Sequence, residues 1–139
     1  MKEDYILTDI ITVLTTKIAK IEEKTITESR FSELTGKQMY YLEVISSLNN
    51  PSLSELATEL NLSKPSITAI VDKFEERGFI RKVKSDEDRR VSHIHMAQKG
   101  KEIEKVHSKI HMRISNMFTS KVTKDELKSL INLLRKIVD

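Results

Sequence analysis

The sequence contains no cysteine, only three glycines and two prolines, and aromatic residues make up 5% of its 139 positions. Without thiols there can be no disulfide, no cysteine-ligated metal and no thiol redox switch. The shortage of glycine and proline leaves few tight turns and fits long helices. No stretch approaches the roughly 18 uninterrupted apolar residues of a membrane span, so no membrane partner is expected. The opening "MKEDYILTD" mixes charges with apolar residues, unlike a secretory signal, and a cytoplasmic location is expected. A Gly-rich phosphate loop and a Ser/His/acid set are also missing. The two histidines at positions 107 and 111 lack the intervening glutamate of a metalloprotease helix. No enzyme and no cofactor is therefore expected. A net charge of +3, from 24 basic and 21 acidic residues, is too even to predict a nucleic-acid partner by itself.

The apolar residues that are present fall at helical spacing. Leu7, Ile10, Ile11, Leu14, Ile18 and Ile21 form one stripe on a helix over roughly residues 4–27. A second helix is expected after Thr35, with Gln38 completing a capping box, and runs to about Leu48. "NNPS" breaks the chain. Ser52 and Glu55 form another capping box for a short helix whose face is Leu53, Leu56, Ala57 and Leu60. After the turn "NLS", Ser63 caps a further helix with Pro65 in its first turn, where a missing N–H costs nothing. Ile67, Ile70, Val71 and Phe74 are its inner stripe, and Gly78 is its left-handed stop. "FIRKV" and "RVSHIHM" alternate as strands joined by the charged turn "KSDEDR". Ile103, Val106, Ile110, Ile114 and Met117 mark a long helix from about Lys99. Thr123 and Glu126 cap a last one carrying Leu127, Leu130, Ile131, Leu134 and Ile137.

Two short helices across a tight turn, followed by a hairpin, form a winged helix-turn-helix in a mainly α fold with a two-stranded wing. This architecture sets its second helix in the major groove of DNA. With Ile67, Ile70 and Val71 inward, Pro65, Thr68, Ala69, Asp72 and Lys73 face outward, flanked by Ser63, Lys64 and Ser66. Free N–H groups at the helix start suit a phosphate. On the wing, Lys84, Arg89 and Arg90 are basic, and an arginine at a thin loop tip suits a minor groove. Asp88 is placed to hold an arginine ready. The plainer reading of the same residues is an amphipathic helix pair beside a solvated turn.

"LSELATELNLSKPSITAIVDKFEERGFIRKVKSDEDRR", followed by "KGKEI", resembles the MarR family of bacterial transcriptional regulators. The resemblance rests on Leu56–Ala57, on Ser63 to Thr68, on "FEERGFI", on the wing tip Asp88 to Arg90 and on "MAQKG". It implies a homodimeric DNA-binding regulator, with double-stranded, pseudo-palindromic operator DNA as partner. Residues 1–30 and 101–139 would then be dimerisation helices and 31–100 the DNA-binding region. The apolar stripes of the first, fifth and sixth helices point the same way, being more than a core of about 70 residues covers. Where the family carries Thr at the start of the fifth helix, this chain has Ala97, which cannot cap.

All four histidines lie between Val91 and His111. His93 and His95 alternate on one strand face, the exposed one, with Ile94 and Met96 opposite. His107 and His111 stand one turn apart. Nine helical steps separate residues 98 and 107, about 13–14 Å, so the four histidines cannot share one zinc ion. A smaller zinc site from His107 and His111 with Glu104 or partner-chain groups stays open, as does a plain surface role. "ESRFSELTGKQMYYLEVI", "RRVSHIHMAQKG" and "VHSKIH" resemble the branch that represses fatty-acid synthesis genes in Gram-positive bacteria. That branch implies an acyl chain on acyl carrier protein, or a small apolar effector, as ligand. It also implies an apolar tunnel between the first, second and fifth helices, with basic residues meeting the acidic carrier.

Overall fold

A computed structural model describes residues 2–139. Six helices and one hairpin follow in the order α1 (Lys2–Glu28), α2 (Gly36–Ser47), α3 (Leu53–Leu60), α4 (Lys64–Glu76), β1 (Ile80–Lys84), β2 (Ser92–Met96), α5 (Gln98–Thr119) and α6 (Lys124–Val138). The mainly α, winged architecture read from the sequence is what the chain adopts. Met1, the first residue of the segment expected to dimerise, lies outside the described residues.

Local chemistry explains the boundaries. Thr35 and Gln38 close a reciprocal capping box at α2, as do Thr123 and Glu126 at α6. Ser63 accepts a bond from the Ser66 N–H at the head of α4. Asn61 ends α3 in the left-handed region at φ 51°, and Gly78 leaves α4 at φ 82°, where a side chain is disfavoured. The expected box at α3 is only half made. Ser52 accepts from the Glu55 N–H, but the return bond from the Glu55 carboxylate is not formed. The chain entering α3 is instead paired with the wing: Ser52 bridges His93, and the Ile94 N–H donates to the Pro51 carbonyl at 2.8 Å.

β1 and β2 pair antiparallel, Ile80 opposite Met96 and Lys84 opposite Ser92. The core lies where α2, α3, α4 and the sheet meet α5. Leu42, Leu56, Ile67, Val71, Phe79 and Ile94 are fully buried there. Phe79 packs its ring against both Phe31 and Phe74, with centroids 5.9 and 6.1 Å away. Burying side chains of this kind contributes about 1.5–3 kcal/mol each, so this cluster dominates the stability of the winged part. The C-terminal end of α1 docks on α5. Arg113 there donates to the buried Thr25 hydroxyl and to Glu28.

The two ends of the chain contribute little to this core. No residue of α6 is buried, and Ile131, Leu133, Leu134 and Ile137 are all exposed. Along α1, Tyr5, Ile6, Leu7, Ile10, Ile11 and Val13 are likewise uncovered. A single chain thus leaves two long apolar faces in water, far more than scattered surface residues would need.

Candidate nucleic-acid interface

The outward face of α4 is as its periodicity requires. Ile67, Val71 and Phe74 are buried and Ile70 is half-buried, while Ser63, Lys64, Pro65, Ser66, Thr68, Ala69, Asp72 and Lys73 are exposed. The face is not uniform. The Ser63 and Ser66 hydroxyls bond each other at 2.9 Å, which holds them to the cap. Asp72 is engaged too: Lys82 Nζ on β1 donates to its Oδ1 at 2.5 Å. The Lys82 backbone N–H donates to Glu75 at 2.7 Å. Helix α4 therefore grips the first wing strand through two carboxylates. An exposed ion pair contributes only about 0–1 kcal/mol, so this one favours one angle between helix and wing and adds little to stability. Its hydrogen bond to Asp72 raises the Lys82 ammonium above its ordinary value, so Lys82 is charged throughout the neutral range.

At the wing tip, Asp88 holds Arg90 three times over. Its Oδ1 accepts from the Arg90 backbone N–H at 3.0 Å and from Nε at 3.1 Å, and its Oδ2 accepts from Nη2 at 3.2 Å. The Arg90 side chain is nonetheless 91% exposed. A guanidinium held extended in water has lost its rotamer freedom before meeting any ligand. Among the described residues no ion pair engages Lys64 at the start of α4, Lys73 in its last turn, or Lys84 and Arg89 on the wing.

The clamp sets a pH dependence. The hydrogen bonds from the Arg90 side chain, then its backbone N–H, lower the Asp88 carboxyl below its ordinary value of 3.8. A carboxylate lowered on folding stabilises above its ordinary value, and that contribution disappears as pH falls through the lowered one. The Asp88 carboxyl resonance is expected to titrate below its ordinary value in the intact protein and to move back toward it in Arg90→Ala, which removes the guanidinium but keeps the backbone N–H. Identical titration in both proteins would mean the clamp does not exist in solution.

Away from this surface, the histidines sit differently from their expected places. His93 and His95 are half-buried rather than on an open face, because residues 51 and 52 run along the second edge of β2. His107 Nε2 lies 3.1 Å from Glu43 Oε1 on α2, and the His107 and His111 rings are 4.0 Å apart. Glu104, named beside them from sequence, is not part of that group. Its carboxylate accepts from the Ser46 hydroxyl at 2.5 Å. The sequence gives no sign of these roles for Glu43 and Lys82. Glu43 is remote in sequence from the histidines, and Lys82 is one of several cations in a charged strand.

The apolar cavity also differs from expectation. It has a volume of about 270 Å³ and lies between α2 and α5, floored by Met39, Leu42, Met96 and Ile103. Helix α1 contributes nothing to it and instead borders a separate, more polar cleft with Glu22, Glu23 and Thr35. The docking of α1 falls lower on α5, at Arg113, which removes it from the cavity wall. The rim carries Glu43, Glu104 and His107, so it is acidic rather than basic. The uncapped start of α5 is confirmed. Ala97 makes no side-chain cap, and its N–H donates instead to the Phe79 carbonyl at 3.0 Å.

Known proteins share this arrangement. A model of the MarR family matches residues 34–92, which span α2 to the start of β2. The uncharacterised HTH-type transcriptional regulator YpoP of Bacillus subtilis (strain 168) is 30% identical over 124 residues, covering 87% of this chain and 86% of that protein. The transcriptional repressor MprA of Escherichia coli (strain K12) is 28% identical over 144 residues, covering 99% of this chain and 79% of that one. Among solved structures, Streptococcus pneumoniae FabT in complex with DNA superposes with a TM-score of 0.80 at 27% identity, covering 97% of each chain. Sequence relatives and fold agree over nearly the full length, and the chain belongs to the MarR family of transcriptional regulators.

Proposed function

We propose that the chain is a sequence-specific DNA-binding repressor acting as a homodimer. The observation that carries this reading is the exposed face of α4, with Thr68, Ala69 and Lys73 uncovered beside an arginine that Asp88 holds clear of the surface. Base edges are read from the helix, phosphates bind at Lys64, Lys84 and the N–H groups heading α4, and Arg90 enters the minor groove. FabT, seen bound to DNA, and MprA, a repressor by name, support both the partner and the direction of control. Residues 31–100 form the reading part. Residues 1–30 and 101–139 provide the apolar faces that pair two copies, which places two reading parts on a pseudo-palindromic site about one helical turn apart. A regulator of this kind works in the cytoplasm.

The experiment is selection of duplexes from a random-sequence pool, followed by binding measured over a range of salt. Affinity should fall steeply and log-linearly with salt as counterions are released. Arg90→Ala should weaken all duplexes alike and flatten the salt slope by about one unit. Thr68→Ala and Lys73→Ala should instead change which duplexes are preferred. Salt-independent binding, or equal effects of all three changes on every sequence, contradicts the assignment. Asp88→Asn, which frees Arg90, should weaken binding about three- to tenfold, from ~0.5–1.5 kcal/mol of side-chain ordering.

The effector we assign to the cavity between α2 and α5 is an apolar chain, as the fatty-acid branch of the family implies. At about 270 Å³ the cavity is just under the ~300–1,000 Å³ usual for small-molecule sites, so it takes part of such a chain unless the helices part. Its acidic rim does not favour direct docking of an acidic carrier. Comparing a free long-chain fatty acid with acyl carrier protein loaded with the same chain, each added to the protein–duplex complex, separates the two forms. No change in duplex affinity with either ends this assignment.

A further inference from the structure

We propose that Glu43, His107 and His111 form a binding site for a divalent transition-metal ion that ties α2 to α5. The inference stands apart from the DNA reading, since none of these residues is on α4 or the wing. One ligand atom from each of the three falls within 4.8 Å of the others. His107 and Glu43 are already in contact at 3.1 Å. In a tetrahedral zinc site, bonds of about 2.0–2.2 Å place ligand atoms roughly 3.3 Å apart. The three atoms stand at most 4.8 Å apart, so a closure of about 1.5 Å completes the set. A His–carboxylate ion-pair contact explains one imidazole beside Glu43. It does not explain the second, held 4.0 Å away with no hydrogen-bond partner among the described residues.

The donor set chooses the ion. Two imidazoles and one carboxylate suit Zn²⁺, Co²⁺ or Ni²⁺, whereas Ca²⁺ and Mg²⁺ require more oxygen donors. Three protein donors leave a fourth position for water, the pattern of an open rather than a closed site. Glu104 does not join, because it is held by Ser46 one turn away. Two of the donors, Glu43 and His107, also border the cavity between α2 and α5. An ion there fixes the spacing of those helices beside the space assigned to an apolar ligand.

The test uses the full-length protein, stripped with chelator and titrated with Co²⁺ and then Zn²⁺. One Co²⁺ per chain should give the visible absorption of a four- or five-coordinate centre, and Zn²⁺ should bleach it. His111→Ala and Glu43→Gln should each weaken Zn²⁺ binding at least tenfold and abolish the rise in melting temperature that Zn²⁺ produces. Both residues are outside the core, so the apo variants should melt as the parent does, which separates lost binding from lost folding. Glu104→Gln should leave Zn²⁺ affinity unchanged. A six-coordinate Co²⁺ spectrum, unchanged affinity in either His111→Ala or Glu43→Gln, or an equal loss in Glu104→Gln would each overturn the site.

Discussion

Gly100→Ala lowers the melting temperature by about 6–10 °C, corresponding to roughly 2 kcal/mol for a chain of this length. Helix propensity alone forecasts the reverse. Gly100 lies in the first turn of α5, and alanine there would gain about 1 kcal/mol. The backbone does not permit it. A Cβ on Gly100 would stand 2.3 Å from the Phe79 carbonyl oxygen and 2.7 Å from the Met96 methyl. The methionine can swing away. The carbonyl cannot, because it accepts the Ala97 N–H that anchors the start of the same helix. Overpacking of this kind costs about 1–3 kcal/mol, and more where backbone must move. Thermal unfolding of the variant decides the sign, and an unchanged or raised melting temperature would show that α5 does not press on Phe79 in solution.

Leu134→Glu combined with Ile137→Glu reduces affinity for a palindromic duplex by about a hundred- to ten-thousandfold. Both side chains are exposed in one chain, at 43% and 77%, so two carboxylates there leave the folded protomer intact. Buried between two copies they would be unpaired charges in an apolar seam, which is strongly destabilising. Separated subunits lose the advantage of linked half-site binding, which is worth about 10²–10⁴ in affinity. Sedimentation should show the parent as a dimer and the variant as a monomer, with matching helical content. A variant that still sediments as a dimer, or a parent that never does, removes α6 from the pairing surface.

Much of this molecule is legible in its sequence because its signals are local. Thr35 with Gln38 and Thr123 with Glu126 announce helix starts through bonds three residues apart. Gly78 announces a left-handed stop. The alternation around Ile94 announces a strand, and the two-residue spacing of Asp88 and Arg90 announces a clamp. What escapes is set by distant contact. Ser52 and Glu55 have the letters of a capping box, but the strand pairing of Pro51 and Ser52 takes the entering backbone elsewhere. Glu43 meets His107 only because α2 packs on α5, and no spacing within either helix reveals it. Glu104 has good spacing to His107, yet Ser46 draws it aside. The "MAQKG" motif can be recognised as a pattern, but the close approach to Phe79 that demands its glycine is visible only in three dimensions. The cavity's position is hidden for the same reason, since where α1 docks depends on Arg113 finding Thr25 and Glu28.

Because Asp72 and Glu75 fasten Lys82, the second helix of the reading motif cannot tilt independently of its hairpin. The protein should then recognise operator geometry as strictly as operator letters. Inserting one base pair between half-sites moves one of them about 3.4 Å along the axis and turns it by about 34–36°. Neither displacement can be absorbed inside a subunit, so any tolerance has to come from flexing between subunits.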